Sequence, residues 1–186
     1  MRVIGAAFNQ KGLEHSSGVP ILFYKTDEPD YVWEGKEDVI ILPDDVRSIW
    51  AEVEIAFLIL KTTEVEIEGY AVANDVTADY GADCHYLLGK SLPTFCKVSR
   101  PWNWVRPDYT AKMTMRINGV QHQMGCLNDM IIQPQALVSI IDKRVGLSTG
   151  DIVLSGTPYH EKIPLQKNDV VEVAVEGLGN IVSIVK

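Results

Sequence analysis

Apolar and polar positions alternate along most of this chain with a period near two, the spacing of side chains on the two faces of a strand. Residues 2–8 and 20–24 are short apolar runs, and 39–42 is a third, closed by Pro43. Polar stretches containing glycine or proline separate them. From Trp50 to Asp79 the pattern predicts strand, short connection, strand. Residues 111–117 alternate, Asn118-Gly119 is the dipeptide of a type I′ hairpin turn, and 120–124 return. A buried strand at 152–154 and a last hairpin built from 170–175 and 181–185 complete the β elements. Helical periodicity is rarer. A short helix is expected at 83–88, and a longer one from Pro134 to about Arg144, with Ala136, Leu137, Ile140 and Ile141 on its inner face. The pattern predicts a predominantly β protein with a few helices (α+β), folded as a single domain over 1–186 without linker or repeat.

Some polar positions do not fit a plain core strand. Glu52 and Glu54 open the apolar run 55–60 and project from one face, roughly 7 Å apart on strand geometry. Two like charges there repel, and burying them unpaired is costly. A divalent cation shared with a third oxygen ligand relieves both problems, and Asp75, near the end of the returning strand, is the best candidate. The bland alternative is an edge strand with a solvated acidic face. Glu64, Glu66 and Glu68 repeat the spacing in a polar connection, so spacing alone does not define a metal site.

Other candidates are weaker. Lys25 ends an apolar run, either as a surface lysine or as a cation aimed at an anionic ligand. His15 lies in a polar loop and is expected to be solvent-exposed. Gly89-Lys90-Ser91 lacks the GxxxxGK[ST] spacing of a nucleotide-binding loop, which leaves Lys90 as a cation near the acidic group. Ser155-Gly156-Thr157-Pro158 offers open backbone and a free hydroxyl, a possible anion cradle. Trp102 and Trp104 are expected to cover a core edge or a subunit face.

Composition narrows the classes. At 186 residues and 46% hydrophobic, the chain is long enough for one substantial core. Its formal charge of −8 argues against a nucleic-acid partner, which needs clustered Lys and Arg. It does not argue against anionic substrates, because a bound cation reverses the local field. No leader or apolar run of membrane-spanning length is visible, so no membrane partner is expected. Cys84, Cys96 and Cys126 have no paired spacing and suit free thiols in a reducing compartment, with the cytoplasm as the default.

Taken in order, these pieces resemble the fumarylacetoacetate hydrolase family over about 4–185. The matching stretches are PILFYK (20–25), WAEVE (50–54), GYAVANDVTA (69–78), GKSLPTF (89–95), the ING hairpin with Gln123, SGTP (155–158) and VVEVAVEGLGNI (170–181). The resemblance implies a mostly β fold with a β-roll-like core, a homodimer, and a divalent ion, Mg²⁺, Mn²⁺ or sometimes Ca²⁺. It implies a small 2-oxo, 1,3-dicarbonyl or dicarboxylate substrate. Carried over position by position, the metal carboxylates fall on Glu52, Glu54 and Asp75, and the active-site lysine on Lys90. The substrate-holding threonine falls on Thr157 and the family's glutamine on Gln123; Lys25 stays a candidate substrate contact.

Three departures shift the expected chemistry. Catalytic members often carry Asn-Tyr-x-x-His followed by a glutamate, and here Leu13 stands where the histidine belongs, with His15 two residues late. Asp79 replaces an arginine of the NDVSARD pattern, and the 61–69 connection is shorter than usual. Loss of the base damages hydrolysis more than a reaction through an enolate. The expected activity is metal-dependent decarboxylation or keto–enol tautomerisation of a small 2-oxo dicarboxylate or β-keto acid, helped by oxyanion stabilisation or proton transfer at Lys90. Carbon–carbon hydrolysis of an acylpyruvate, with a base such as His15, is the alternative. A scaffold with little activity is the third reading.

Overall fold

The computed structural model describes residues 1–13, 15, 18–81, 88–158 and 161–186. Apart from Leu88, the helix expected at 83–88 lies outside the described residues, as does Cys84. In chain order the strands are β1 (Val3–Ala7), β2 (Ile21–Thr26), β3 (Asp30–Trp33), β4 (Asp38–Ile40), β5 (Ser48–Trp50), β6 (Val53–Lys61), β7 (Val65–Asp75), β8 (Thr77–Asp79), β9 (Cys96–Arg100), β10 (Lys112–Ile117) and β11 (Val120–Cys126). A 3-10 turn at Leu127–Asp129 and the helix α1 (Pro134–Val145) follow, then β12 (Ile152–Leu154), β13 (Val170–Val175) and β14 (Gly179–Val185). The predominantly β expectation holds.

A seven-stranded mixed sheet runs in the order β2-β1-β12-β6-β7-β9-β3, and a five-stranded sheet runs β11-β10-β13-β14-β4. Strands β5 and β8 form a separate antiparallel pair. Near the middle of the larger sheet, β6 is apolar at almost every position, as a strand covered on both faces must be. Val53, Ile55, Phe57 and Ile59 enter the main core beside Met113, Val173 and Ile181 of the smaller sheet. The other face of β6 joins a second, smaller cluster. Ala56 packs there with Ala71, Ala73, Ile152 and Trp102.

Local chemistry sets the boundaries. Asn118 (φ 51°) and Gly119 (φ 81°) are both left-handed, as a type I′ turn between β10 and β11 requires. Pro134 opens α1, and Gly146 (φ 65°) ends it. The buried face of α1 is Pro134, Leu137, Val138 and Ile141; Ala136 is exposed and Ile140 half-buried, so the inner face is rotated from the expected set. Gln135 Nε2 donates to Val65 O at 2.8 Å, tying α1 to β7. Strand β2 also runs past the expected end at Tyr24, carrying Lys25 into the interior. No helix of the described residues is long and apolar enough to cross a membrane.

Candidate metal centre

Strand register assembles the acidic group. In the β6–β7 pair, Val53 lies opposite Asn74 and Glu54 opposite Ala73. The ladder continues one step further, with Asp75 N–H donating to Glu52 O at 2.9 Å. Opposed residues of an antiparallel pair share a face, so Glu52, Glu54 and Asp75 converge. One carboxylate oxygen from each lies within 4.8 Å of the others. Glu54 and Asp75 are buried, and Glu52 sits at the rim, 9% exposed. Of the three glutamates with the same spacing, Glu64, Glu66 and Glu68 are all exposed instead. Burial separates the two sets; spacing does not.

Two lysines enter the group. Lys90 Nζ lies 2.7 Å from Glu52 Oε2 and 2.6 Å from Asp75 Oδ2. Lys25 Nζ lies 2.5 Å from Asp75 Oδ1 and donates to Val76 O at 2.5 Å. Burial alone would push Asp75 up, but Lys25 and Lys90 outweigh it and hold its carboxyl below the usual range. Burial lowers the Lys25 ammonium, against the opposing pull of Asp75. Burial also acts to lower Lys90, yet Asp75, Glu52 and Glu54 raise it above an ordinary lysine, so it stays an ammonium.

Glu54 is different. Burial first, then the charge of Asp75, pushes its carboxyl well above the usual value. Among the described residues no ammonium contacts it, and Gly156 N–H donates to its Oε2 at 2.7 Å. Three carboxylates against two ammonium groups leave one negative charge in excess when all are ionised. An all-oxygen donor set carrying excess negative charge is what a hard divalent cation takes, so the residues present fit such an ion.

The 155–158 stretch closes the group from the other side. Ser155 Oγ accepts from Ile55 N–H at 2.9 Å. Gly156 is left-handed (φ 86°), and a Cβ there would stand 2.7 Å from Ala6 O. Its N–H is spent on Glu54, so the expected anion cradle serves a carboxylate of the protein itself. Gln123 accepts from Val53 N–H at 2.9 Å and donates to Thr157 Oγ1 at 2.8 Å, locking the start of β6 to Thr157. Asn9 and Gln10 join the site without any signal in the hydrophobic pattern. Asn9 Nδ2 donates to Ile132 O and Ser155 O at 3.1 and 3.2 Å, and Gln10 Nε2 to Gly156 O at 3.3 Å. An Asn-Gln pair opening a loop carries no periodicity, and its partners lie more than 120 residues away.

A cavity of about 130 Å³ opens on this group. Glu52, Glu54, Lys90 and Thr157 line it, with Phe8, Leu13, Phe23 and Trp50 as apolar walls. Lys25 is not among the lining residues and has no exposed surface, so it braces Asp75 from behind and does not face a substrate. His15 packs its ring 5.4 Å from that of Phe8, and Leu13 takes the place on the wall. The sequence-derived set therefore divides. Glu52, Glu54, Asp75, Lys90, Thr157 and Gln123 come together around the cavity, and Lys25 lies behind it.

Residues 3–186 match the family described as Fumarylacetoacetate (FAA) hydrolase C-terminal. The chain belongs to the fumarylacetoacetate hydrolase family. It is 32% identical over 169 residues to the oxaloacetate tautomerase Fahd2a, mitochondrial, of Rattus norvegicus, covering 80% of this chain and 54% of that protein. The chain thus spans about half the length of such relatives. Its fold superposes on the 5-carboxymethyl-2-hydroxymuconate delta-isomerase of Mycobacterium smegmatis with a TM-score of 0.83 at 25% identity, covering 99% of this chain and 78% of that one. The fumarylpyruvate hydrolase of Pseudomonas aeruginosa, solved with Mn²⁺ and pyruvate, gives a TM-score of 0.87 at 20% identity, covering 100% and 89%, a likeness of fold.

Proposed function

We propose that this chain is a divalent-metal-dependent enzyme that interconverts the keto and enol forms of a small 2-oxo dicarboxylate, with decarboxylation of a β-keto acid as the allied reaction. The observation that carries this reading is that Glu52, Glu54 and the Lys90 ammonium line one small cavity, with the buried Asp75 in contact with Lys90 behind them and Leu13 on the wall. Relatives named as an oxaloacetate tautomerase and an isomerase support it.

Glu52, Glu54 and Asp75 would hold the ion, which when bound supplies Lewis-acid polarisation of a 2-oxo group. Lys90 is a fixed positive charge and proton donor beside the developing oxyanion, held by its two carboxylate contacts. Thr157, fixed by Gln123, offers a hydroxyl that orients the substrate. Keto–enol exchange moves one proton from carbon to the oxo oxygen and cleaves no bond by water. It needs an acceptor for the carbon-bound proton, but not the water-activating base that Leu13 cannot be. The cavity, well below the ~300 Å³ of drug-sized pockets, suits a substrate of few carbons. We further propose that two copies pair, since Trp33, Trp104 and Val105 are 59%, 64% and 72% exposed.

The test is an assay of oxaloacetate with Mg²⁺ or Mn²⁺, following keto–enol change and CO₂ release separately against a free-metal control. His15→Ala should retain most of the rate, and Glu52→Ala/Glu54→Ala should fall to the metal background. Lys90→Ala should lose roughly 10²-fold, the scale of a positioned proton-transfer or oxyanion group. Acylpyruvate hydrolysis that collapses in His15→Ala would assign a hydrolase instead. No protein-dependent rate on any 2-oxo acid would leave a binding scaffold.

A further inference from the structure

The cavity holds a second cation that the reaction centre leaves unused. Lys162 lines the same cavity as Lys90, with Nζ 4.3 Å from the centre of the Trp50 ring. We propose that Lys162 binds the distal carboxylate of a 2-oxo dicarboxylate and so selects dicarboxylates over 2-oxo monocarboxylates. This rests on the function proposed above and adds the residue that sets its substrate class.

Three observations carry the assignment. The first is charge. Lys90 is committed to Glu52 and Asp75, whereas among the described residues no carboxylate pairs with Lys162. In a chain of formal charge −8, such an ammonium on a cavity wall is a ready anion contact. The second is positioning. The Trp50 face steadies the lysine by cation–π attraction, and Phe8 and Leu13 on the same wall lower the local dielectric. Trp50 is itself 6% exposed, so the ring that holds the ammonium is fixed by its own burial. The third is the lining. Among the described lining residues the cations are Lys90 and Lys162, and Lys162 comes from the stretch after Pro158.

The experiment uses ligands that cannot turn over. Calorimetry in Mn²⁺ buffer compares malate with lactate, 2-hydroxy acids that differ in the distal carboxylate. Wild type should bind malate about tenfold more tightly, the scale of a partly enclosed charge-assisted contact. Lys162→Gln should lose that advantage and leave lactate within about twofold of its wild-type affinity. Lys162→Arg should restore most of it, and raised salt should narrow the wild-type gap. Lys162 is exposed, so the variants should keep the wild-type melting temperature. Equal affinity of wild type for the two acids, no malate binding, or parallel loss of both acids in Lys162→Gln overturns the assignment. If the malate preference depends on Lys162 while oxaloacetate is not turned over, Lys162 stands and the reaction assignment fails.

Discussion

Lys25 Nζ lies 2.5 Å from Asp75 Oδ1, and neither side chain has any exposed surface. A buried lysine is tolerated when a carboxylate pairs with it and a carbonyl accepts a further N–H, and Val76 O is that carbonyl. With Lys90 on the other oxygen, Asp75 is held as a carboxylate, the state a metal ligand needs. Lys25→Met should therefore do two things. Stability should fall by about 3 kcal/mol or more, the scale for breaking a buried pair, and affinity for Mn²⁺ should fall as Asp75 loses its brace. Denaturant unfolding of the variant within about 1 kcal/mol of wild type would mean that the pair contributes little.

Gly156 joins the 155–158 stretch to Glu54. Its φ of 86°, and the 2.7 Å that would separate a side-chain carbon there from Ala6 O, leave no room for alanine. Gly156→Ala should cost at least about 2 kcal/mol and displace the N–H that fixes Glu54. Unchanged unfolding together with unchanged metal affinity would contradict that role.

Acid sensitivity has a site away from the centre. Lys61 Nζ donates to Asp142, and Leu147 N–H donates to its Oδ1 at 2.8 Å, together holding this carboxyl below its usual value. A depressed folded pKa contributes stability that is present above the unfolded value of about 3.9 and lost as pH falls through the folded value. Asp142→Asn should then be less stable than wild type at neutral pH, with the difference closing as pH falls below about 4. A difference independent of pH would assign the effect to geometry alone.

The proposed pairing rests on Trp33, Trp104 and Val105, three large apolar side chains that stand exposed. Light scattering at micromolar concentration should report twice the 20.7 kDa of one copy. Trp104→Glu should shift it toward the monomer. A single 20.7 kDa species for wild type would reject pairing.

Much of this is legible in the sequence because it is local. Period-two alternation marks β6 and β7, Asn118-Gly119 marks the turn between β10 and β11, and Glu52 and Glu54 stand out as acids at the mouth of an apolar run. Lys25 is not legible in that way. A lysine closing an apolar run reads as a surface terminus until Asp75, fifty residues on, makes its burial tolerable. The parallel pairing of β1 with β12 has the same character, since it joins Val3 to Ile152 and no local pattern encodes it. The inner face of α1 departs from its periodicity because Ala136 and Val138 are both apolar, and packing takes the larger. Asn9, Gln10 and Lys162 act through distant partners that only the fold brings near.

The central claim is that Glu52, Glu54 and Asp75 hold the divalent ion. Calorimetric titration of the purified chain with Mn²⁺ tests it directly, with Glu54→Gln beside wild type because Glu54 has no lysine contact among the described residues and the amide keeps its volume. The account predicts one site per chain in wild type, a rise in melting temperature with added Mn²⁺, and at least about tenfold weaker binding in Glu54→Gln, the scale of losing one charged ligand from an oxygen cage. Equal affinity in the two proteins would contradict it.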